Sequence, residues 1–266
     1  MFSDNPDQKN IIELKKISQS YDGGKTWIMK DCDFIIEDKP DQGQFVVILG
    51  MSGSGKSTLL RYIAGLQEPT LGQVHVNGKA VGEKERVSMV FQQYSSLPWF
   101  TVLENVGLAL QFQGVSKKER DERAMELIKL VGLEGHENKF AQYPTLSGGQ
   151  LQRVAIARSL LANPKILLMD EPFGALDIKT RLTMQDLLTK IWHKFQSTII
   201  FVTHDISEAV YLADDIYILK SQPSKFVEHI HVDLPLERDR TTKRDPKYTA
   251  LVHLVEDKMI AVSNLD

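Results

Sequence analysis

Gly50-Met51-Ser52-Gly53-Ser54-Gly55-Lys56-Ser57-Thr58 sets three glycines, a lysine and a row of hydroxyls between an apolar β-branched run and a helix-like segment. That is the spacing and context of a phosphate-binding loop. Glycines let consecutive backbone N–H groups turn toward phosphate oxygens, and the helix that follows adds the positive end of its dipole. Lys56 is then placed to reach β- and γ-phosphates, and Ser57 to ligate Mg2+. Alone, the loop says that a nucleoside triphosphate binds, and kinases, GTPases and ATPases all stay open.

Ile166-Leu167-Leu168-Met169-Asp170-Glu171 is an apolar strand that delivers two adjacent carboxylates at its C-terminal end, where ligands sit in open α/β sheets. Asp170 suits Mg2+ coordination, direct or through water, and Glu171 suits a general base acting on water. Without the phosphate loop, the same pair would read as a strand ending at an acidic helix cap. Leu146-Ser147-Gly148-Gly149-Gln150, followed by the helical run 151–158, is a small polar turn opening onto a helix, again an anion-binding geometry.

Taken in order, these three elements resemble the ATP-binding cassette (ABC) family, whose signature is LSGGQ, and the likeness extends from Tyr21 to about Arg240. It implies that Tyr21 stacks on adenine and that Gln92 is the glutamine sensing Mg2+ and the γ-phosphate. It further implies that Asp177, in Gly174-Ala175-Leu176-Asp177, belongs to the D-loop and that His204 is the switch histidine. The chain carries one phosphate loop and one signature. In this family Ser147, Gly148, Gly149 and Gln150 would therefore close over ATP held by a second subunit, another copy or a paralogue.

Segments 97–106 and 232–235 resemble those of ATPase subunits that drive import of nitrate, sulfonates, taurine or bicarbonate. The resemblance thus implies separate transmembrane permease subunits, a solute-binding protein contacted indirectly, and a peripheral place on the cytoplasmic side of the inner membrane. Pro98 and Trp99, just past Gln92, are candidates to receive a helix of the permease, with local burial of Trp99 as the alternative. The other readings are a soluble ABC ATPase without a transport role, or a transporter for a different substrate. Two departures from the group are a longer turn at 38–43 and Ser224 in place of a frequent glycine.

The surrounding elements must hold these residues. The runs 45–49, 166–169 and 198–202 are short and fully apolar, as strands of a parallel sheet buried on both faces are. Helical sequence accompanies each, which makes the fold α/β, a P-loop core with a mostly parallel sheet. Runs 11–20 and 27–36 around Asp22-Gly23-Gly24, together with the Asn77-Gly78 turn after Val74 and Val76, predict an antiparallel β-subdomain. A helical insertion over about 93–163 includes a capping-box pattern at Ser116 and Glu119. Its cations at 117, 118, 120 and 123 alternate with acids and read as a solvated face.

Residues 220–225 read as a loosened stretch before a strand at 225–232 and a helix at 246–262. The domain bounds are accordingly 9–240 for the ATP-binding domain and 241–266 for a C-terminal helical extension.

Over 266 residues, 32 Lys and Arg stand against 35 Asp and Glu, a net charge of −3, so no basic field exists to hold a nucleic acid. Cys32, the single cysteine, can form neither an intrachain disulfide nor a cysteine-rich metal site. The polar start at 1–10 has no apolar core of a secretory signal, and no apolar run approaches the roughly 18 residues of a membrane span.

Overall fold

The computed structural model describes residues 10–39, 42–81, 87–93 and 95–263; the polar start at 1–9, the Pro40 and Asp41 part of the long turn, and 264–266 lie outside the described residues. Strands β1 (Asn10–Gln19), β2 (Met29–Glu37), β4 (Leu71–Val76) and β5 (Lys79–Ala80) form an antiparallel sheet in the order β2-β1-β4-β5. The β4–β5 turn holds Asn77 at φ 50° and Gly78 at φ 75°, the positive pair that the Asn-Gly dipeptide accommodates.

The second sheet has the order β10-β9-β3-β8-β7-β6. It contains β3 (Phe45–Leu49), β6 (Ser88–Val90), β7 (Ile166–Asp170), β8 (Thr198–Thr203) and β9 (Asp215–Lys220), all parallel, with β10 (Lys225–His231) antiparallel at one edge. Every residue of β3, β7 and β8 is buried, which explains why these strands show no polar alternation.

Successive side chains enter opposite cores. Phe45, Val47 and Leu49 join the cluster beneath α2 (Val102–Phe112), α4 (Gly148–Leu161), α5 (Ile178–Phe195), α6 (Ile206–Leu212) and α7 (Pro246–Ser263). Val46 and Ile48 join the one beneath α1 (Lys56–Ile63) and the antiparallel sheet. Cys32 lies in this second core, where burial pushes its thiol up to about 11.

Helices α2, α3 (Lys117–Leu130) and α4 pack on one another as the helical insertion. Ser116 accepts the Glu119 N–H, half of the expected box, while Thr101 and Glu104 form a complete reciprocal box at the start of α2. Lys117 and Lys118 are solvated as expected, whereas Arg120 lies along Gly107 of α2.

Residues 220–225 are not loose. They form the turn of the β9–β10 hairpin, and Ser224 is fully buried, its hydroxyl donating to the Ile28 carbonyl at 2.9 Å. Hydrogen bonding between paired strands overrides the local turn composition there. Ser224 also lies against the phosphate loop, since a Cβ on Gly55 would stand 2.9 Å from its Oγ.

Candidate functional site

Strand register decides which loops meet. Leu49 lies opposite Thr203 and Asp170 opposite Val202, so the residues that leave β3, β7 and β8 emerge side by side. The Gly50 N–H donates to the Thr203 carbonyl (3.4 Å) and the Glu171 N–H to that of Val202 (3.1 Å).

In the loop after β3, Gly53 and Gly55 adopt φ of 82° and 88°, a region that side chains strain. Helix α1 starts at Lys56 with no side-chain cap, so its first-turn N–H groups remain for an anion. Among the described residues, the buried Ser54 Oγ has no hydrogen-bond partner either. Met51, Ser52 and Gly53 are exposed, and Thr58 is half-buried. Lys56 is only 4% exposed, and its ammonium donates to the carbonyls of Gly50 and Met51, each at 2.9 Å. Burial pushes its pKa down, and the Glu171 carboxylate, 3.5 Å away, opposes that shift.

Ser57 Oγ donates to Asp170 Oδ1 at 2.8 Å. Burial raises the Asp170 pKa, and the Ser57 hydrogen bond counteracts it. Glu171 sits at φ 41°, a strained conformation for a non-glycine residue. Its N–H bond to Val202 and the Gly174 N–H bond to its own carbonyl (3.1 Å) hold it there. Oε2 of Glu171 contacts His204 Nδ1 at 2.9 Å. The exposed Gln92 reaches the same loop, its Nε2 lying 3.6 Å from where a Cβ on Gly174 would stand. Sequence-distant groups thus converge in one line: Lys56, Glu171 and His204, with Ser57 and Asp170 beside them.

Ser147 and its neighbours belong to a different corner. Ser147 caps α4 in a reciprocal box, accepting the Gln150 N–H at 3.4 Å while Gln150 Oε1 accepts the Ser147 N–H at 2.8 Å. Gln150 Nε2 lies 3.0 Å from His136 Nε2. Gly148 opens the helix, and a Cβ on Gly149 would stand 2.5 Å from Thr180 Cγ2 of α5. Asp177 caps α5 by accepting the Thr180 N–H at 3.0 Å, and hydrogen bonds from the Thr180 side chain and then its N–H lower the Asp177 pKa. Among the described residues, no hydrogen bond or ion pair joins Ser147–Gln150 to the phosphate loop. Tyr21 stands apart as well, 67% exposed, its hydroxyl accepting from Gln67 Nε2 at 3.1 Å.

The sequence profile of the ABC transporter family matches residues 36–174. The chain belongs to the ABC transporter family. This cassette is 44% identical over 247 residues to the nitrate import ATP-binding protein NrtD of Synechocystis sp., covering 89% of this chain and 90% of that one. It is 41% identical over 244 residues to the taurine import ATP-binding protein TauB of Pseudomonas fluorescens, covering 90% of each. Among solved structures it resembles a dimeric post-hydrolysis state of an ATP-binding cassette bound to ADP and Pi. There the TM-score is 0.69 at 34% identity, over 84% of this chain and 100% of that chain. The α/β cassette fold read from the sequence is the fold found, and the cassette is an ATP-binding ATPase.

Sequence reasoning passed over four residues at the edges of these corners: His136, Thr180, Thr203 and Glu208. Only Glu208 carried a signal, since Asp205-Ile206-Ser207-Glu208 has capping-box spacing and Asp205 does cap α6. The other three act through packing that no local pattern encodes.

Proposed function

We propose that this chain is the ATP-hydrolysing subunit of an importer for a small anion, working as a pair of cassettes attached to separate membrane-spanning subunits. The observation that carries the reading is the line from Lys56 through Glu171 to His204, which sets a cation, a carboxylate and an imidazole within 3.5 Å and 2.9 Å of one another. The residues divide into an ATP-binding domain over 9–240, with a helical subdomain at about 93–163, and a C-terminal extension over 241–266.

The N–H groups of the phosphate loop, from Gly50 to Thr58, receive the ATP phosphates, and Lys56 gives up backbone carbonyls to neutralise the β- and γ-oxygens. The exposed Tyr21 ring offers a face for adenine. Ser57 and Asp170 supply adjacent oxygen donors, the hard ligand type that Mg2+ takes, and Gln92, after the neighbouring strand β6 and beside Gly174, is the further candidate. A single buried carboxylate leaves the remaining positions to phosphate and water, which suits Mg2+ better than an all-protein cation cage. When bound there, Mg2+ neutralises charge developing on the phosphate oxygens.

Glu171 accepts the proton of the attacking water. His204 Nδ1–H donates to its second oxygen, fixing the carboxylate and leaving Nε2 for the substrate side.

Ser147, Gly148, Gly149 and Gln150, satisfied within their own corner, cover the ATP held by the other copy or a paralogue, and Asp177 presents the D-loop to the same seam. ATP binding at both sites draws the pair together, and hydrolysis releases it. No described helix is long and apolar enough to cross a membrane, so transport requires permease subunits, with the solute-binding protein acting through them. Trp99 is 66% exposed beside Pro98, which favours docking over local burial. Nitrate and taurine are the cargoes named for relatives, and peripheral attachment on the cytoplasmic side follows from that role.

Phosphate release from ATP by the purified chain, with Mg2+ and after chelation, tests the first half. Hydrolysis that survives chelation breaks the Mg2+ assignment. For the second half, the complex with its permease in vesicles takes up nitrate or taurine, and uptake of neither removes the small-anion reading. In that complex Trp99→Ala lowers uptake while ATP hydrolysis by the isolated chain is kept; unchanged assembly and uptake sink the docking role.

A further inference from the structure

Glu208 carries a carboxylate that none of the steps above uses, yet it is only 4% exposed and lies four residues past His204 in α6. Thr203 Oγ1 donates to its Oε2 at 2.6 Å, and Gln185 Nε2 of α5 donates to its Oε1 at 3.0 Å. Gln185 Oε1 in turn accepts from Lys243 Nζ at 2.7 Å. On the other side, Thr203 Oγ1 accepts the Asp205 N–H at 3.1 Å. Each group donates and accepts in one sense only, so the chain of bonds runs from Lys243 through Gln185 to Glu208 and meets Thr203 there. Thr203 and Asp205 are the two peptide neighbours of His204.

A carboxylate this deep is retained where hydrogen bonds and a cation compensate for lost water. Burial raises the Glu208 pKa, while Arg181 and the hydrogen bonds from Thr203 and Gln185 counteract it and Asp205 adds to it. The cation that completes the chain comes from a distant part of the sequence. Lys243 lies in the short 3-10 turn Thr242–Arg244 and sits 4.2 Å above the Tyr211 ring.

Other contacts anchor its segment. Arg240 pairs with Asp186 at 2.9 Å, Tyr248 Oη donates to the Ser207 carbonyl at 2.9 Å, and buried Arg238 donates to the carbonyls of Tyr211 and Ala213. Truncating Lys243 therefore opens the chain of bonds without undocking the segment.

We infer that Glu208 is a positioning residue for the His204 loop, and that Lys243, acting through Gln185, holds it in working order, so that ATP hydrolysis depends on the docked C-terminal segment. This rests on the reading of His204 and Glu171 as the hydrolytic pair.

The test is steady-state ATP hydrolysis by the full chain. Lys243→Met lowers kcat about tenfold, the scale of one hydrogen bond to a charged group, with KM for ATP and the thermal midpoint unchanged. Lys243→Arg restores kcat. Gln185→Met gives the same loss, and the double variant loses no more than either single one, as members of one chain do. A kcat for Lys243→Met within about twofold of the parent overturns the proposal. A loss that Arg does not rescue and that comes with a fallen thermal midpoint does so too, since it marks a purely structural contact. His204→Ala separates the two levels: if it abolishes hydrolysis while Lys243→Met does not, only this proposal falls, and if it hydrolyses at the parent rate, the hydrolytic reading falls with it.

Discussion

The corner at the ends of β3, β7 and β8 and the corner at the start of α4 are built on opposite plans. In the first, polar groups from three loops depend on one another: Lys56 is caged by loop carbonyls and faces Glu171, Ser57 bonds Asp170, and Glu171 bonds His204. In the second, Ser147 and Gln150 satisfy each other within one helical turn, and the nearest support is a single contact to His136 and the close fit of Gly149 on Thr180. The first corner, proposed above as the reaction centre, is a set of polar groups held together within one chain. The second is a finished surface, preformed by a helix cap and ready to meet something outside its own chain. A cassette with both must pair to bring them together.

The sharpest way to break that contrast is to remove the proposed base from the first corner. Glu171→Gln keeps the shape and loses the proton acceptor, so kcat falls by roughly two to four orders of magnitude while ATP still binds and the dimer accumulates. Sustained phosphate release from this variant, measured at saturating ATP, removes the base assignment. Next in size is Gly149→Ala, whose methyl would meet Thr180 Cγ2 at 2.5 Å. Overpacking of this kind costs about 1–3 kcal/mol, read as a lower thermal midpoint and weaker ATP-driven dimerisation, and adding Thr180→Ser recovers part of it. Equal dimerisation by Gly149→Ala would show that the seam does not need this fit.

The smallest effect belongs to His136→Ala. It removes one hydrogen bond to Gln150 and leaves the cap bonds of Ser147 in place, a loss of about 1 kcal/mol or less from the second corner. Nucleotide binding to the isolated chain stays unchanged, and dimerisation weakens a few-fold at most. A large fall in single-chain ATP affinity would join two corners that the geometry keeps apart.

How legible these corners were depends on the reach of the interactions that make them. The phosphate loop, the Ser147 cap, the Asn77-Gly78 turn and the apolar strands rest on contacts within a few residues, so their residue types announce them. The 220–225 stretch misled because its Pro and polar residues look like a linker, while the bonds that fix it run across to Ile28 and along the β9–β10 pairing. His136, Thr180 and Thr203 were silent because each acquires its role only from a side chain brought close by packing, whereas the capping-box spacing from Asp205 marked Glu208 as a helix-start residue but not its buried partners.

The amino-acid sequence by itself determined the turn chemistry, the strand cores and the set of reactive groups, because φ preferences, capping and burial are local properties of residue types. Only the tertiary structure decided that Lys56, Glu171 and His204 touch. That outcome follows from parallel register, which sets Leu49 against Thr203 and Asp170 against Val202 and so aligns the loops that leave those strands. It also decided that Lys243, far along the chain, ends its chain of bonds at Thr203, the residue next to His204. Burying a carboxyl group in a core demands hydrogen-bond partners, and folding recruited them from wherever the chain passed.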